Sequence, residues 1–224
     1  MRFLFLSLIL LITVASFSQF QADSVDTEPV DTTYTHPIGF LVGGGVTFGN
    51  LTPSNINSAD TFSGWGTQPQ RLFSVGLMYN KDFSSKLSFQ TGAVFNLSKI
   101  VIDYRLNNYD YADTTNYSTL AIPLLASYKL NKKPSGFKLT AGLLSEFDIS
   151  KKADRNNRVF PLKVISPAAY GALGYQLKTY TSIIEFKLFA QVNPLNLIAN
   201  DENKYTQAID KLYYWRAGLV IILR

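Results

Sequence analysis

From position 37 onward the chain alternates apolar and polar residues in eight runs, as strands do when their two faces meet different surroundings. The clearest run is the last, 211–224, reading KLYYWRAGLVIILR. Tyr213, Trp215, Ala217, Leu219, Ile221 and Leu223 share one face; Tyr214, Arg216, Gly218, Val220, Ile222 and Arg224 share the other. Its aromatic and β-branched residues favour extended chain, and Gly218 counts against a helix. So apolar a terminal strand needs partners on both edges. Pairing it with the first run closes a barrel.

The other runs are 37–49, 71–83, 86–98, 117–130, 137–149, 162–177 and 181–193. Each is long enough for the roughly 9–11 residues that cross a bilayer at a tilt. Connections alternate: 50–70, 107–116, 150–160 and 194–210 are long, whereas 84–85, 131–136 and 178–180 are short. Short periplasmic turns and long outer loops give this rhythm, and an even strand number returns both ends to the periplasm. The pattern predicts an all-β fold over 37–224: a closed, antiparallel, eight-stranded, up-and-down transmembrane β-barrel. Near Lys99 the phase changes and Ile100, Ile102 and Tyr104 form a new apolar set, which predicts a bulge.

A soluble ligand-binding barrel shows the same alternation with its apolar face turned inward. Two features favour the outward arrangement. The less apolar face is rich in glycine (Gly39, Gly43, Gly76, Gly92, Gly142, Gly218) and poor in charge, which suits a narrow lumen. Aromatic residues of the apolar face gather near strand ends (Phe40, Phe83, Tyr128, Phe137, Tyr175, Trp215), like the girdles at a bilayer surface. This arrangement places Glu146, Glu185, Lys187 and Arg216 in the lumen as a charge cluster, structural or gating. Buried charges need opposite partners, and Arg216 sits one strand from Glu185 and Lys187, so a contact between those strands is expected.

Composition adds a route and removes several chemistries. Residues 1–18 have Arg2, an apolar run from Phe3 to Val14 and small residues Ser16 and Ser18, the layout of a cleaved signal peptide. Cleavage is expected between Ser18 and Gln19. Residues 19–36, acidic at Asp23, Asp26, Glu28 and Asp31, read as a flexible periplasmic segment. No cysteine is present, which excludes disulfides, thiolate metal sites and a cysteine-linked lipid anchor. Charged residues make up 17% of the chain, against about 25% in ordinary soluble domains; part of the surface is expected to meet something other than water. The net charge of +5 comes without a basic cluster of the nucleic-acid-binding kind.

The residues offer no catalytic, cofactor or metal site. The one histidine, His36, falls at the periplasmic mouth, away from the outer rim where barrel enzymes keep theirs. Glu146 and Asp148 lie two apart and face one way, but nothing marks them as an acid–base pair. The glycines of GVTFGN and GALGYQ precede no helix, so neither is a phosphate loop.

The fourth run, YSTLAIPLLASYKL, resembles the "leIPlLlkY" strand of the PorT-like outer-membrane β-barrel family of Bacteroidota, through Ile122, Pro123, Leu124, Leu125 and Tyr128. AAYGALGYQL (168–177) is similar to that family's glycine-containing sixth strand. IIEFKLFAQVNPLNLI (183–198) resembles its "leaRY…GLtNI" stretch, with Lys187 where arginine is usual. The resemblance implies an eight-stranded outer-membrane barrel. The namesake's association with type IX secretion and gliding is not carried over.

The leading expectation is a non-enzymatic outer-membrane barrel with a structural, adhesion or envelope-assembly role carried by its long loops. Phe62 and Trp65, in loop 50–70, are the candidate contact residues. Its expected partners are outer-membrane lipid, the barrel-assembly machinery and an envelope protein met through the loops or the N-terminal segment. The last residue, Arg224, departs from the aromatic ending usual for barrels. A narrow or gated pore is the alternative, and a soluble secreted barrel the third reading.

Overall fold

The computed structural model describes residues 37–53, 62–106, 109–150, 160–199 and 209–224. Eight strands form one closed antiparallel barrel: β1 (Ile38–Pro53), β3 (Gln70–Asp82), β4 (Leu87–Leu97), β7 (Thr119–Lys129), β8 (Gly136–Asp148), β9 (Ile165–Lys178), β10 (Ile183–Asn193) and β11 (Ile209–Leu223). Each strand hydrogen-bonds to its sequence neighbours in the barrel, and β11 returns to β1 with Phe40 opposite Leu223 and Gly45 opposite Gly218. Each edge is thereby paired, as the apolar terminal strand requires. Among the described residues no helix is long and apolar enough to cross a membrane, which has no bearing on crossing by strands.

The wall is inside out relative to a soluble barrel. Leu77, Leu124, Leu143, Leu173, Leu188 and Leu219 stand on the outer surface. Gln90, Asn96, Lys138, Glu146, Glu185, Lys187 and Arg216 are buried inside. In water this pattern would expose a continuous oily belt and desolvate charges for no gain. The soluble reading is therefore set aside on geometry. The belt is bordered by aromatic rings. At the end carrying the short turns, Phe137 meets Tyr175 edge-on at 5.1 Å, with Phe186 next in register. At the long-loop end Phe48 stacks on Trp215 at 3.9 Å.

Two segments expected as loops, and one expected as a bulge, are strands. β2 (Phe62–Gln68), β5 (Lys99–Leu106) and β6 (Tyr109–Asn116) form a second sheet in the order β2-β5-β6. The phase change near Lys99 marks a strand that leaves the barrel wall after a one-residue break at Ser98; it is not a bulge within the wall. Its alternation turns Ile100, Ile102 and Tyr104 onto a buried cluster with Phe160, Leu162, Leu197, Ile198, Leu212 and Tyr214. Loop 50–70 is shortened from both sides, since β1 runs on to Pro53 and β2 begins at Phe62. Side-chain to main-chain bonds tie the neighbouring connections: the Asn196 carboxamide oxygen accepts from the N–H groups of Ile198 and Leu212, at 3.1 and 3.0 Å. Leu162 and Ile198 add an antiparallel bridge between two long connections. Buried hydrophobic side chains thus cover the long-loop end of the barrel.

Candidate functional site

The lumen is the candidate site, and it has three layers. Alternation sends every second side chain inward, so the layers follow from where polar residues fall along each strand.

Near the long-loop end, Arg216 of β11 donates through Nη1 to Oε1 of Glu146 on β8, and neither residue has any exposure. Thr119 and Asn96 donate to the same oxygen at 3.1 and 3.3 Å. Nη2 of Arg216 reaches the Ser98 hydroxyl at 3.3 Å, which in turn donates to the Tyr117 carbonyl at 2.8 Å. The guanidinium lies over the Tyr214 ring, 4.7 Å from its centre, with Tyr117 at 5.7 Å. A planar cation between aromatic faces and a carboxylate is well suited to burial, because dispersion and quadrupole attraction replace part of its lost hydration.

At the short-turn end, Glu185 of β10 is the hub. Lys138 and Lys187 bring their ammonium groups to 3.3 and 3.4 Å from Oε1, and Arg224 approaches Oε2 at 3.8 Å. Gln90 bridges the group: its amide donates to Glu185 at 3.3 Å and its oxygen accepts from Lys187. Between the two networks lies an apolar layer that includes Leu41, Met78, Leu125, Leu144, Phe189 and Val220. The cavity left there is about 50 Å³, room for a few waters and not for a continuous column.

All four charges expected in the lumen are there, but they do not form one cluster. Arg216 stands opposite Gln191, six residues along β10 from Glu185, about 20 Å at strand rise. The expected contact of Arg216 with Glu185 and Lys187 is corrected: Arg216 is paired with Glu146, across the lumen. Lys138 and Arg224, on inward-facing positions of their strands, are further members of the short-turn network that the four expected charges do not include. Asp148, beside Glu146, is also buried and accepts from the Ser150 N–H at 2.9 Å. Phe62 and Trp65 lie on β2, and their side chains fall outside the described residues, as does His36. Among the described residues no group of histidine, cysteine or carboxylate side chains is arranged to hold a metal ion.

A family model described as the outer membrane protein beta-barrel domain matches residues 17–220. The chain belongs to that family. This outer-membrane barrel has a similar solved structure in the outer membrane protein OprG from Pseudomonas aeruginosa, at 13% identity and a TM-score of 0.44. That alignment covers 82% of this chain and 95% of the other. A search of the curated proteins found no match. What the barrel's interior can do chemically is hold charge apart from water; among the described residues no nucleophile–base pair is formed in it.

Proposed function

We propose that this outer-membrane barrel is a non-enzymatic, non-conducting member of the PorT-like kind, with a structural, adhesion or envelope-assembly role. In this reading residues 1–18 are removed on export, both ends of 37–224 lie in the periplasm, and the β2-β5-β6 sheet is presented outside. The observation that carries it is the lumen: two networks of paired charges separated by an apolar layer, under a hydrophobic cluster at the long-loop end. A filled interior leaves the rim as the surface with information to offer, and side-chain pairs link the strands of the rim sheet. Gln68 clasps both oxygens of Asp103 at 3.0 and 2.8 Å, and Arg105 forms a two-pronged pair with Asp110 at 2.7 and 3.2 Å.

The test is single-channel recording of the purified barrel in a planar bilayer. No steady openings are expected. Steady openings that disappear in Glu185→Gln or Arg216→Gln would sink the proposal and favour the narrow or gated pore. That second reading draws on the same charges, since Glu185, Lys187, Glu146 and Arg216 would lie along any ion path. A C-terminal tag that a protease removes from intact cells would overturn the periplasmic placement of the ends.

A further inference from the structure

The short-turn mouth of the barrel is a concave, strongly cationic chamber. It measures about 290 Å³ and is lined by Lys86, Lys129, Lys132, Lys138 and Lys178, with Asp82 as its one carboxylate. Immediately behind it, Lys187 and Arg224 share Glu185 with Lys138. Three cations at the inner wall therefore divide a single carboxylate. Among the described residues, Lys86, Lys129, Lys132 and Lys178 have no carboxylate within ion-pairing distance. Lys129 instead donates to the main-chain oxygens of Lys133 and Pro134, at 3.3 and 3.1 Å. Lys86 turns its ammonium to the Tyr128 hydroxyl, at 3.3 Å. Solvated lysines on open turns would need no explanation, but Lys129, Lys132, Lys138 and Lys178 line one cavity.

A second feature points the same way. Ser88 lies on the inward face of β4, opposite Asp82, and lines the chamber. It is buried, yet its hydroxyl finds no partner. A desolvated O–H without an acceptor is destabilising, and an anion seated among the lysines would accept from it. Ser84, at the adjacent turn, has its own hydroxyl engaged by the N–H groups of Lys86 and Leu87, at 3.3 and 3.0 Å, which fixes the rim of the chamber.

We propose that this mouth is a binding site for a phosphate group. A tetrahedral anion with several acceptor oxygens matches several ammonium groups and a waiting hydroxyl better than a single planar carboxylate does. The same chemistry is available from two sources: the headgroup of an anionic phospholipid in the leaflet that meets the short turns, and a soluble phosphorylated molecule. The site is separate from the question of conduction, because the apolar layer lies beyond it.

The test uses the full barrel in phosphatidylcholine nanodiscs and follows the amide NMR signals of Ser88, Lys129 and Lys138. One arm adds inorganic phosphate, with chloride at matched ionic strength as control; the other compares discs with and without phosphatidylglycerol. A saturable shift is expected in at least one arm. Saturation by inorganic phosphate identifies a site open to soluble phosphates, and a shift with phosphatidylglycerol alone identifies a headgroup site. Lys129→Gln with Lys132→Gln should weaken the interaction about a hundredfold, roughly tenfold for each charge-assisted contact removed. Ser88→Ala should weaken it by a smaller factor. Heat-shifted gel mobility of each variant checks that the barrel is intact. No saturable shift in either arm, an equal shift with chloride, or an unchanged response in the folded double lysine variant would overturn the site.

Discussion

Gly92 and Pro123 face each other across a two-residue break in the hydrogen-bonded wall. Thr91 pairs with Leu124 and Val94 with Ala121, but the positions between them, on β4 and β7, are unpaired. Proline has no N–H to donate, and the pairing of Pro123 with Leu144 on its other side persists, so the missing bond falls toward β4. Gly92 answers with a φ of +156°, and a Cβ there would overlap the Leu77 carbonyl oxygen. The two residues make one irregularity, and they are not equally replaceable. Gly92→Ala is expected to destabilise the folded barrel by about 1–3 kcal/mol through backbone strain, and by more if the overlap does not relax. Pro123→Ala should stay within about 1 kcal/mol, because a restored donor is offset by a looser unfolded chain. Urea unfolding in detergent, read by gel mobility, checks both. Equal losses would mean that the glycine is not the constrained partner.

Arg216 and Glu146 make the second prediction. Both are fully buried and joined, so removing either leaves the other as an uncompensated charge. Arg216→Met or Glu146→Gln alone should cost about 3–5 kcal/mol, and the double variant should recover part of that loss. A double-mutant cycle by urea unfolding measures the coupling. Additive losses would show that Tyr117, Tyr214 and Ser98 hold the guanidinium without the carboxylate.

The barrel was legible in the sequence because its cause is local. A wall wetted by lipid on one side and packed on the other must alternate, and Leu120, Ile122, Leu124 and Ala126 display that alternation whatever lies next to them. The rim sheet was not legible for the opposite reason. Residues 109–116, YDYADTTN, carry no two-faced pattern, since most of that strand is exposed on both faces. The signal that was present, Ile100, Ile102 and Tyr104 out of phase with the wall, reported a change of partner and read as a local defect. The pairing of charges failed similarly. Strand adjacency follows from chain order, whereas contacts across a lumen depend on strand tilt and register, which set Arg216 level with Glu146 and not with Glu185. Lys138 was readable, because it shares the inward face with Thr140 and Gly142.

The apolar belt predicts a depth-dependent cost along one strand. Leu188 lies midway along β10 and is largely exposed, whereas Val192 is level with Trp215 and the aromatic border. Leu188→Arg should cost about 2–4 kcal/mol in a lipid bilayer, and Val192→Arg about 0–1 kcal/mol. Folding free energies in phosphatidylcholine vesicles make the comparison. Equal costs would place the bilayer elsewhere on the wall.

The rim sheet makes a prediction in pH. Asp110 and Asp113 both lie on β6, outside the barrel wall, with opposite surroundings. The hydrogen bond from Arg105 holds the Asp110 carboxyl below its ordinary range. Burial raises that of Asp113, a rise partly opposed by the Thr115 hydroxyl, which donates at 3.3 Å. Carboxyl NMR should therefore find Asp113 protonating first as pH falls. Asp110's pairing contributes above the unfolded carboxylate value of about 3.9 and is lost as pH drops through its lower folded value. Asp113 has the reverse sign: its ionised form is disfavoured in the folded sheet at neutral pH, and acidification through its raised value relieves that penalty. Arg105→Gln should move Asp110 upward and leave Asp113 where it is. If both carboxyls moved together, the two would be coupled through the strand, and Arg105 would not be acting on Asp110 alone.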